Sequence, residues 1–291
     1  TQGVSSAASD VYKRQFLDIL GFKNTLKTLG QERSIEYIES YSRIVYQVFS
    51  RYNRDDEWQN VEKKINGFVV SDSVVLYTND TMKESLSDLL DIIVDLCREE
   101  FCRNSILIRG AIAKGEFNKI PAVELKNLQK QLIVGDAYVK AYGMEDSFKS
   151  IGVRLSDEVY QDVENALINY DIVEESVENE KYYVLRYMNI DYLLNTEGVF
   201  HKFIFAAKKS GWLPHYYNSL YIAMKGVTNT RKVDKLFDVI LTEVSGGSPS
   251  ENWRDVDKFI KNGFNPGVFL TYQTRFLTYL RNHLRISNEH D

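Results

Sequence analysis

The 291-residue chain contains only two cysteines, and their spacing excludes the roles that need a larger or differently spaced set. Cys97 and Cys102 lie five residues apart in one stretch with helical spacing, LCREEFC. Such a pair forms neither a zinc knuckle nor a disulfide framework. We therefore interpret both as reduced side chains on a half-buried helix.

Histidine is also scarce, and the chain has no excess of positive charge. The chain has four histidines, none in a metal-ligand spacing such as H-x-x-x-H, and no Ser/His/Asp or Cys/His pattern supports a hydrolase. The formal net charge is −5 and the sequence pI is near 5.6, whereas nucleic-acid binders usually carry a basic excess on one face. We expect no nucleic-acid partner.

Long hydrophobic runs are missing as well. No stretch of about 18 apolar residues occurs, so the sequence predicts no membrane span or membrane partner. No secretory signal is visible, and we expect a cytoplasmic protein. Residues 1–12 are small, polar and without periodicity, which indicates a disordered or non-native lead.

The rest of the chain has the composition of a globular protein, at 44% hydrophobic and 26% charged residues. Its apolar spacing predicts a strand ending at Asp18, a short helical piece, a helix over residues 34–52 with Ser34 as N-cap, and a β-hairpin over residues 63–78. A helix, a strand, a helix and a strand follow. This order favours an α+β, ferredoxin-like sandwich with helices on one face, over residues 13–188, and a mainly helical C-terminal region over residues 189–291.

Two aspartates stand at the ends of apolar strands. Asp18 ends the first strand, and Asp72 lies in the predicted hairpin turn. If the first strand lies beside the hairpin, the two carboxylates converge at one edge of the sheet. With a backbone carbonyl they offer the oxygen ligands that Mg²⁺ or Mn²⁺ prefers. Taken singly, Asp18 as a helix cap and Asp72 as a turn residue remain the simpler interpretations.

A phosphate site is predicted directly after the first aspartate. Leu20, Gly21 and Phe22 open a helix, whose free N–H groups suit the β and γ phosphates of a triphosphate. The absence of a side chain at Gly21 permits a close approach.

Four motifs in order resemble the class III nucleotidyl cyclases. They are FLDILGF (residues 16–22), FVVSDS (68–73), IRGAIAKG (108–115) and VGDAYVKAYGME (134–145). They are similar to the first metal motif, the second metal hairpin, the R-x-G-I-x-x-G strand and the G-x-x-V-N-x-A-x-R-L-E helix of that family. The resemblance covers residues 15–156 and implies the class III cyclase catalytic fold.

The departures from the family pattern concern the base and the transition state. Phe68 stands where purine cyclases carry a base-reading Lys, and Leu132 stands where they carry Asp. Val139 and Gly143 replace the transition-state Asn and Arg. A chain that keeps both metal-binding aspartates but lacks the Lys and Asp that recognise a purine base resembles the pyrimidine cyclases of bacterial antiphage defence.

That resemblance implies conversion of UTP, or as a second choice CTP, to its 3′,5′-cyclic monophosphate and pyrophosphate. Two Mn²⁺ or Mg²⁺ ions would be held by Asp18, Asp72 and the carbonyl of Ile19. Family members form head-to-tail homodimers with composite sites. The product would be a second messenger that acts on a separate effector protein.

Further site residues remain open between a functional and a structural role. The cation that faces the α-phosphate is sought among Arg109, Lys114, Lys140 and Arg154, with a structural salt bridge as the alternative for Arg109. Phe68 is a candidate wall of the base pocket, and Tyr138 and Tyr142 are candidates for stacking on a pyrimidine or lining the dimer interface. Plain core packing is the alternative for all three.

Two rival functions remain. One is a purine cyclase with an unusual pocket, which Phe68 and Leu132 disfavour. The other is a degenerate cyclase-fold domain that binds a nucleotide or a partner without catalysis. Val139 and Gly143 favour the degenerate domain, whereas Asp18 and Asp72 argue against it.

Overall fold

A computed structural model describes residues 13–19, 22–52, 65–70, 72–116, 118–120, 132–147, 150–177, 180–209 and 214–245. The strands in these ranges are β1 (Lys13–Ile19), β2 (Ile65–Val70), β3 (Ser73–Thr78), β4 (Ile108–Lys114), β5 (Asn118–Ile120), β6 (Leu132–Val134), β7 (Gly152–Leu155), β8 (Ile172–Val177) and β9 (Glu180–Leu185). The helices are α1 (Phe22–Tyr52), α2 (Lys83–Asn104), α3 (Asp136–Ser147), α4 (Asp157–Asn165), α5 (Ile190–Asn195), α6 (Val199–Lys209), α7 (Pro214–Met224) and α8 (Thr230–Ser245).

The main sheet has seven strands in the order β2-β3-β1-β4-β7-β9-β8. All its neighbouring strands are antiparallel except β4 and β7, which run parallel. Its first four strands follow the chain order βαββαβ and the spatial order β2-β3-β1-β4, which is the ferredoxin-like arrangement. The predicted α+β, ferredoxin-like fold is therefore confirmed, and the described part of the C-terminal region is helical as expected.

Helix α2 shows how the sequence builds the core. Its apolar residues recur at three- and four-residue spacing, so one stripe is buried against the sheet. The stripe includes Leu86, Leu89, Leu90, Ile93, Leu96 and Cys97. The helix ends where Ser105 adopts a left-handed conformation (φ 56°); the N–H of Ser105 bonds to the carbonyl of Phe101, and the N–H of Ile106 bonds to that of Glu100.

The prediction of a helix that begins at Ser34 is wrong. Helix α1 begins at Phe22 and runs without a break to Tyr52, so Ser34 lies inside it and is buried. No proline occurs between these two positions. Gly30 in a helix interior costs only about 1 kcal/mol, too little to end a helix that packs along α2.

The expectation of helices on one face of the sheet also needs correction. Neighbouring residues of a strand point to opposite faces, and in β3 both faces are buried. Val74 belongs to the large core cluster that contains α1 and α2, whereas Val75 belongs to a small cluster with Ala111 of β4 and Ala141 of α3. Helices therefore cover both faces, because the central strands are apolar on both.

The C-terminal helices share the core of the sheet. Buried residues of α5 to α8, such as Leu193 and Leu236, belong to the same cluster as those of α1 and α2. Arg186, directly after β9, donates to the carbonyls of Ile222 (3.0 Å) and Lys225 (2.7 Å) at the end of α7. The division of the chain after residue 188 stays a prediction. None of the helices in the described ranges has the length and apolar composition that a membrane crossing needs.

Candidate functional site

Strand β1 lies between β3 and β4, and this position determines the surroundings of Asp18. In the register, Asp18 is the partner of Ser73 on one side and of Arg109 on the other. Partners in adjacent strands share a face of the sheet. Since Asp72 directly precedes Ser73, the backbones of the two aspartates meet at one end of the sheet, as the sequence predicts for a strand beside the hairpin.

The hairpin itself has a two-residue connection. Val70 is the register partner of Ser73, and Asp72, which directly precedes Ser73, is partly buried in a turn. A short polar pair between two β-branched runs is typical of such a turn. The sequence identified this hairpin correctly.

The remaining residues of the predicted metal and phosphate site are only partly described. Ile19 is the last residue of β1, and Phe22 is the first residue of α1. Leu20, Gly21 and the side chains of Asp18 and Phe22 lie outside the described part. Among the described side chains, no group of three or more His, Cys, Asp or Glu residues gathers into a metal site.

The donor types at this end of the sheet suit a hard cation. Two aspartates whose backbones meet, together with a strand-end carbonyl, supply oxygen ligands of the kind that Mg²⁺ and Mn²⁺ bind. Negative charge also acts on Tyr37 of α1. Burial raises the pKa of the Tyr37 hydroxyl, and Glu100, Tyr216 and Asp72 raise it further.

Arg109 forms an ion pair with Glu145 of α3. The Nε atom of Arg109 contacts Oε1 of Glu145, and the two side chains are 15% and 4% exposed. A charge in a buried strand is costly without a partner, and Glu145 supplies it. This is the structural salt bridge that the sequence offered as the alternative role for Arg109, whereas a catalytic role for Arg109 stays a prediction.

The other three candidate cations are engaged elsewhere. Lys114 Nζ lies 3.0 Å from Asp162 Oδ2, Lys140 Nζ lies 2.8 Å from Glu158 Oε2, and Arg154 Cζ lies 4.6 Å from the ring centre of Tyr182. The hydrogen bond from Lys140 lowers the pKa of Glu158 to about 2. Lys140 and Glu158 are both on the surface, so their pairing is weak.

The three aromatic candidates for the base pocket differ in their surroundings. Phe68 and Tyr138 are partly buried against the small cluster that contains Val75 and Ala141, as core packing requires. Tyr142, one helical turn after Tyr138, is 53% exposed. The structure brings Phe68 and Tyr138 to one cluster and leaves Tyr142 accessible.

Two supporting residues were missed by the sequence reasoning. A buried strand arginine predicts a partner, but the sequence alone did not single out Glu145. Tyr187 is fully buried, and its hydroxyl donates to the carbonyl of Ile108 (2.6 Å) and accepts from the N–H of Ile108 (3.2 Å). No sequence signal identifies this contact, because it joins segments that are far apart along the chain.

No protein-family model matches the chain, and no curated protein matches it. Solved structures that are similar include the adenylyl cyclase CyaB from P. aeruginosa, at 13% identity and a TM-score of 0.47, over 60% of this chain and 93% of that one. The dimeric guanylyl cyclase domain of the RhoGC fusion protein from Blastocladiella emersonii is similar at 14% identity and a TM-score of 0.46, over 60% and 96%. The guanylate cyclase domain of RhGC from Catenaria anguillulae, in complex with GTP, is similar at 14% identity and a TM-score of 0.46, over 60% of this chain and 96% of that one. At these scores the likeness adds no evidence on activity.

Proposed function

We propose that this protein is a nucleotidyl cyclase that converts UTP, or as a second choice CTP, to its 3′,5′-cyclic monophosphate and pyrophosphate. The observation that carries the proposal is the pairing of Asp18 with Ser73, which brings two aspartates together at one end of a ferredoxin-like sheet. Four motifs similar to those of class III cyclases lie on β1, the β2–β3 hairpin, β4 and α3.

In the proposed reaction, the ribose 3′-oxygen attacks the α-phosphorus in line with the bond to pyrophosphate. A P–O3′ bond forms, the α–β bridging bond breaks, and the 3′-hydroxyl proton passes to solvent. Asp18, Asp72 and the Ile19 carbonyl would hold two Mn²⁺ or Mg²⁺ ions, which lower the pKa of that hydroxyl and neutralise the triphosphate. The N–H groups at the start of α1 orient the β and γ phosphates.

The choice of a pyrimidine rests on what is missing from the base site. Phe68 offers no charged or hydrogen-bonding group where purine cyclases carry Lys, and it packs on the Val75 and Ala111 cluster. The aromatic ring of Phe68 at this point leaves less space for a base and therefore favours a pyrimidine over the larger purine. Tyr142, exposed on α3, provides a surface on which a base stacks.

A homodimer is part of the proposal. The outer surface of α3 exposes two large apolar side chains three residues apart, Val139 at 69% and Tyr142 at 53%. Exposed apolar side chains that share a helix face suit an interface with a second copy of the chain. In a head-to-tail dimer, that copy can also supply a cation to the α-phosphate. The cyclic product would serve as a second messenger in antiphage defence and act on a separate effector.

The experiment that tests the activity offers each of the four ribonucleoside triphosphates with Mn²⁺ and resolves the products by mass and retention. We expect a cyclic monophosphate from UTP or CTP alone. Asp18→Ala and Asp72→Ala should each abolish it, whereas Asp238→Ala, an exposed acid on α8, should leave it unchanged. Cyclic AMP or cyclic GMP as the product would refute the pyrimidine assignment.

A degenerate domain without catalysis is the second candidate, and one observation favours it. The four cations considered for the α-phosphate all have protein partners in this protomer. If this candidate is correct, no triphosphate yields a cyclic product at any protein concentration. Asp72→Ala would then leave nucleotide or partner binding largely intact, as calorimetry would show.

A further inference from the structure

Helix α3 approaches β4 closely at the start of the helix and in its middle. At its start, a Cβ atom on Gly115 would be only 3.2 Å from the backbone nitrogen of Ala137. In its middle, the methyl group of Ala141 packs on the small side chains of Ala111 and Ala113. Small residues on both elements permit this short separation.

A charged contact between the two elements lies near the end of α3, where Arg109 of β4 forms an ion pair with Glu145. Arg109 is the register partner of Asp18, so the ion pair lies at the level of the proposed metal end of the sheet. The small cluster between helix and strand is made of one valine and three alanines, with partly buried neighbours. Its fully buried members are small, and the ion pair adds a charged contact at this end of α3.

We propose that Arg109 and Glu145 are a positioning pair. Together they hold the last turns of α3 at a fixed height over β4, and so set the distance between Tyr142 and the two aspartates. Arg109 then acts through Glu145 and does not contact the α-phosphate. This inference rests on the proposed cyclase function, but it makes separate predictions.

The two roles differ in what Glu145 does. A cation that stabilises the transition state works through its own charge, and a carboxylate beside it only orients it. A positioning pair fails equally when either member is neutralised, because each single change leaves a buried group without its partner. Loss of both members then adds little to the loss of one.

The test compares Arg109→Gln, Glu145→Gln and the double variant in the full-length protein. We measure kcat, the KM for UTP, the Mn²⁺ concentration for half-maximal activity, and the hydrogen exchange of the α3 amides. We expect each single variant to lose about 10- to 100-fold in kcat/KM, as residues that support a site usually do. The double variant should lose no more than the worse single one, and exchange at the end of α3 should rise equally in both.

Glu145→Asp replaces Glu145→Gln in the test if the latter does not fold. Aspartate keeps the negative charge, but its side chain is one methylene shorter, so its carboxylate lies farther from Arg109. We expect an intermediate loss of activity with a normal thermal transition. A large loss in Arg109→Gln with Glu145→Gln near wild type would overturn the inference and place Arg109 on the substrate. If the wild type turns over no nucleotide, the proposed function fails, and hydrogen exchange alone decides whether the pair fixes α3.

Discussion

Tyr187→Phe is expected to destabilise the protein without changing its packing. The buried hydroxyl of Tyr187 bonds both the N–H and the carbonyl of Ile108. The pairing of β4 with β7 begins one residue later, at Arg109 and Gly152, so the hydroxyl takes the place of a strand neighbour. Phenylalanine keeps the ring and removes two hydrogen bonds, each with a net contribution of about 0.5–1.5 kcal/mol.

The expected loss in the free energy of unfolding is therefore about 1–3 kcal/mol, and it lies in the upper half because the Ile108 groups remain buried and unpaired. Urea unfolding followed by circular dichroism measures it, with Tyr46→Phe as the control, since Tyr46 is 73% exposed. A midpoint within error of the wild type would refute the reasoning. That result would mean that water or a shift of β4 satisfies Ile108 in place of Tyr187.

Burial raises the pKa of Glu100 to about 8 from an ordinary 4.5, so stability should fall as pH rises through that window, and Glu100→Gln should remove the fall in urea titrations. The pKa of Glu158 is lowered to about 2, so its contribution should be present above pH 4.5 and lost toward pH 2; a Glu158→Gln variant that still loses this stability in acid would contradict the assignment. Gly67→Ala should cost about 1–3 kcal/mol, because its Cβ would lie 2.9 Å from a carbonyl oxygen of β3. Gly143→Ala should stabilise α3 by up to about 1 kcal/mol, because an added Cβ there meets open space. Equal shifts in melting temperature for Gly67→Ala and Gly143→Ala would show that the space around the added Cβ does not decide the outcome. Val139→Glu should shift the protein from dimer to monomer in light scattering and lower activity in a concentration-dependent manner, whereas a monomeric wild type would count against the dimer.

The sequence predicted the sheet better than the helix boundaries. The hairpin whose turn contains Asp72 and the strand that ends near Asp18 are indicated by β-branched runs bounded by polar residues, which are local properties of the sequence. The start of α1 was predicted wrongly because serine is a common N-cap residue, whereas Ser34 lies in the interior of this helix. Strands β5 and β6 have three residues each, too few for alternation to be read.

The side-chain pairings around the candidate site could not be predicted from residue types alone. A buried strand arginine implies a partner, yet only the three-dimensional approach of α3 to β4 selects Glu145. Likewise, the aromatic spacing of Tyr138 and Tyr142 is the same for a core stripe and a stacking surface. Their burial differs because Tyr138 lies over the alanine cluster and Tyr142 does not.

The central place of β1 has a consequence for folding. Strand β1, the first in the described part of the chain, lies between β3 and β4, whose pairing residues Ser73 and Arg109 are far along the sequence. Contacts of such long sequence separation form slowly, because the loop between them must be closed before the pairing is gained. During synthesis, β1 therefore has no partner until β3 has left the ribosome, and one of its edges stays unpaired until β4 follows. The end of the sheet that we propose as the metal site is thus not complete before β4 is made, and a nascent chain is exposed to edge-to-edge association in the meantime.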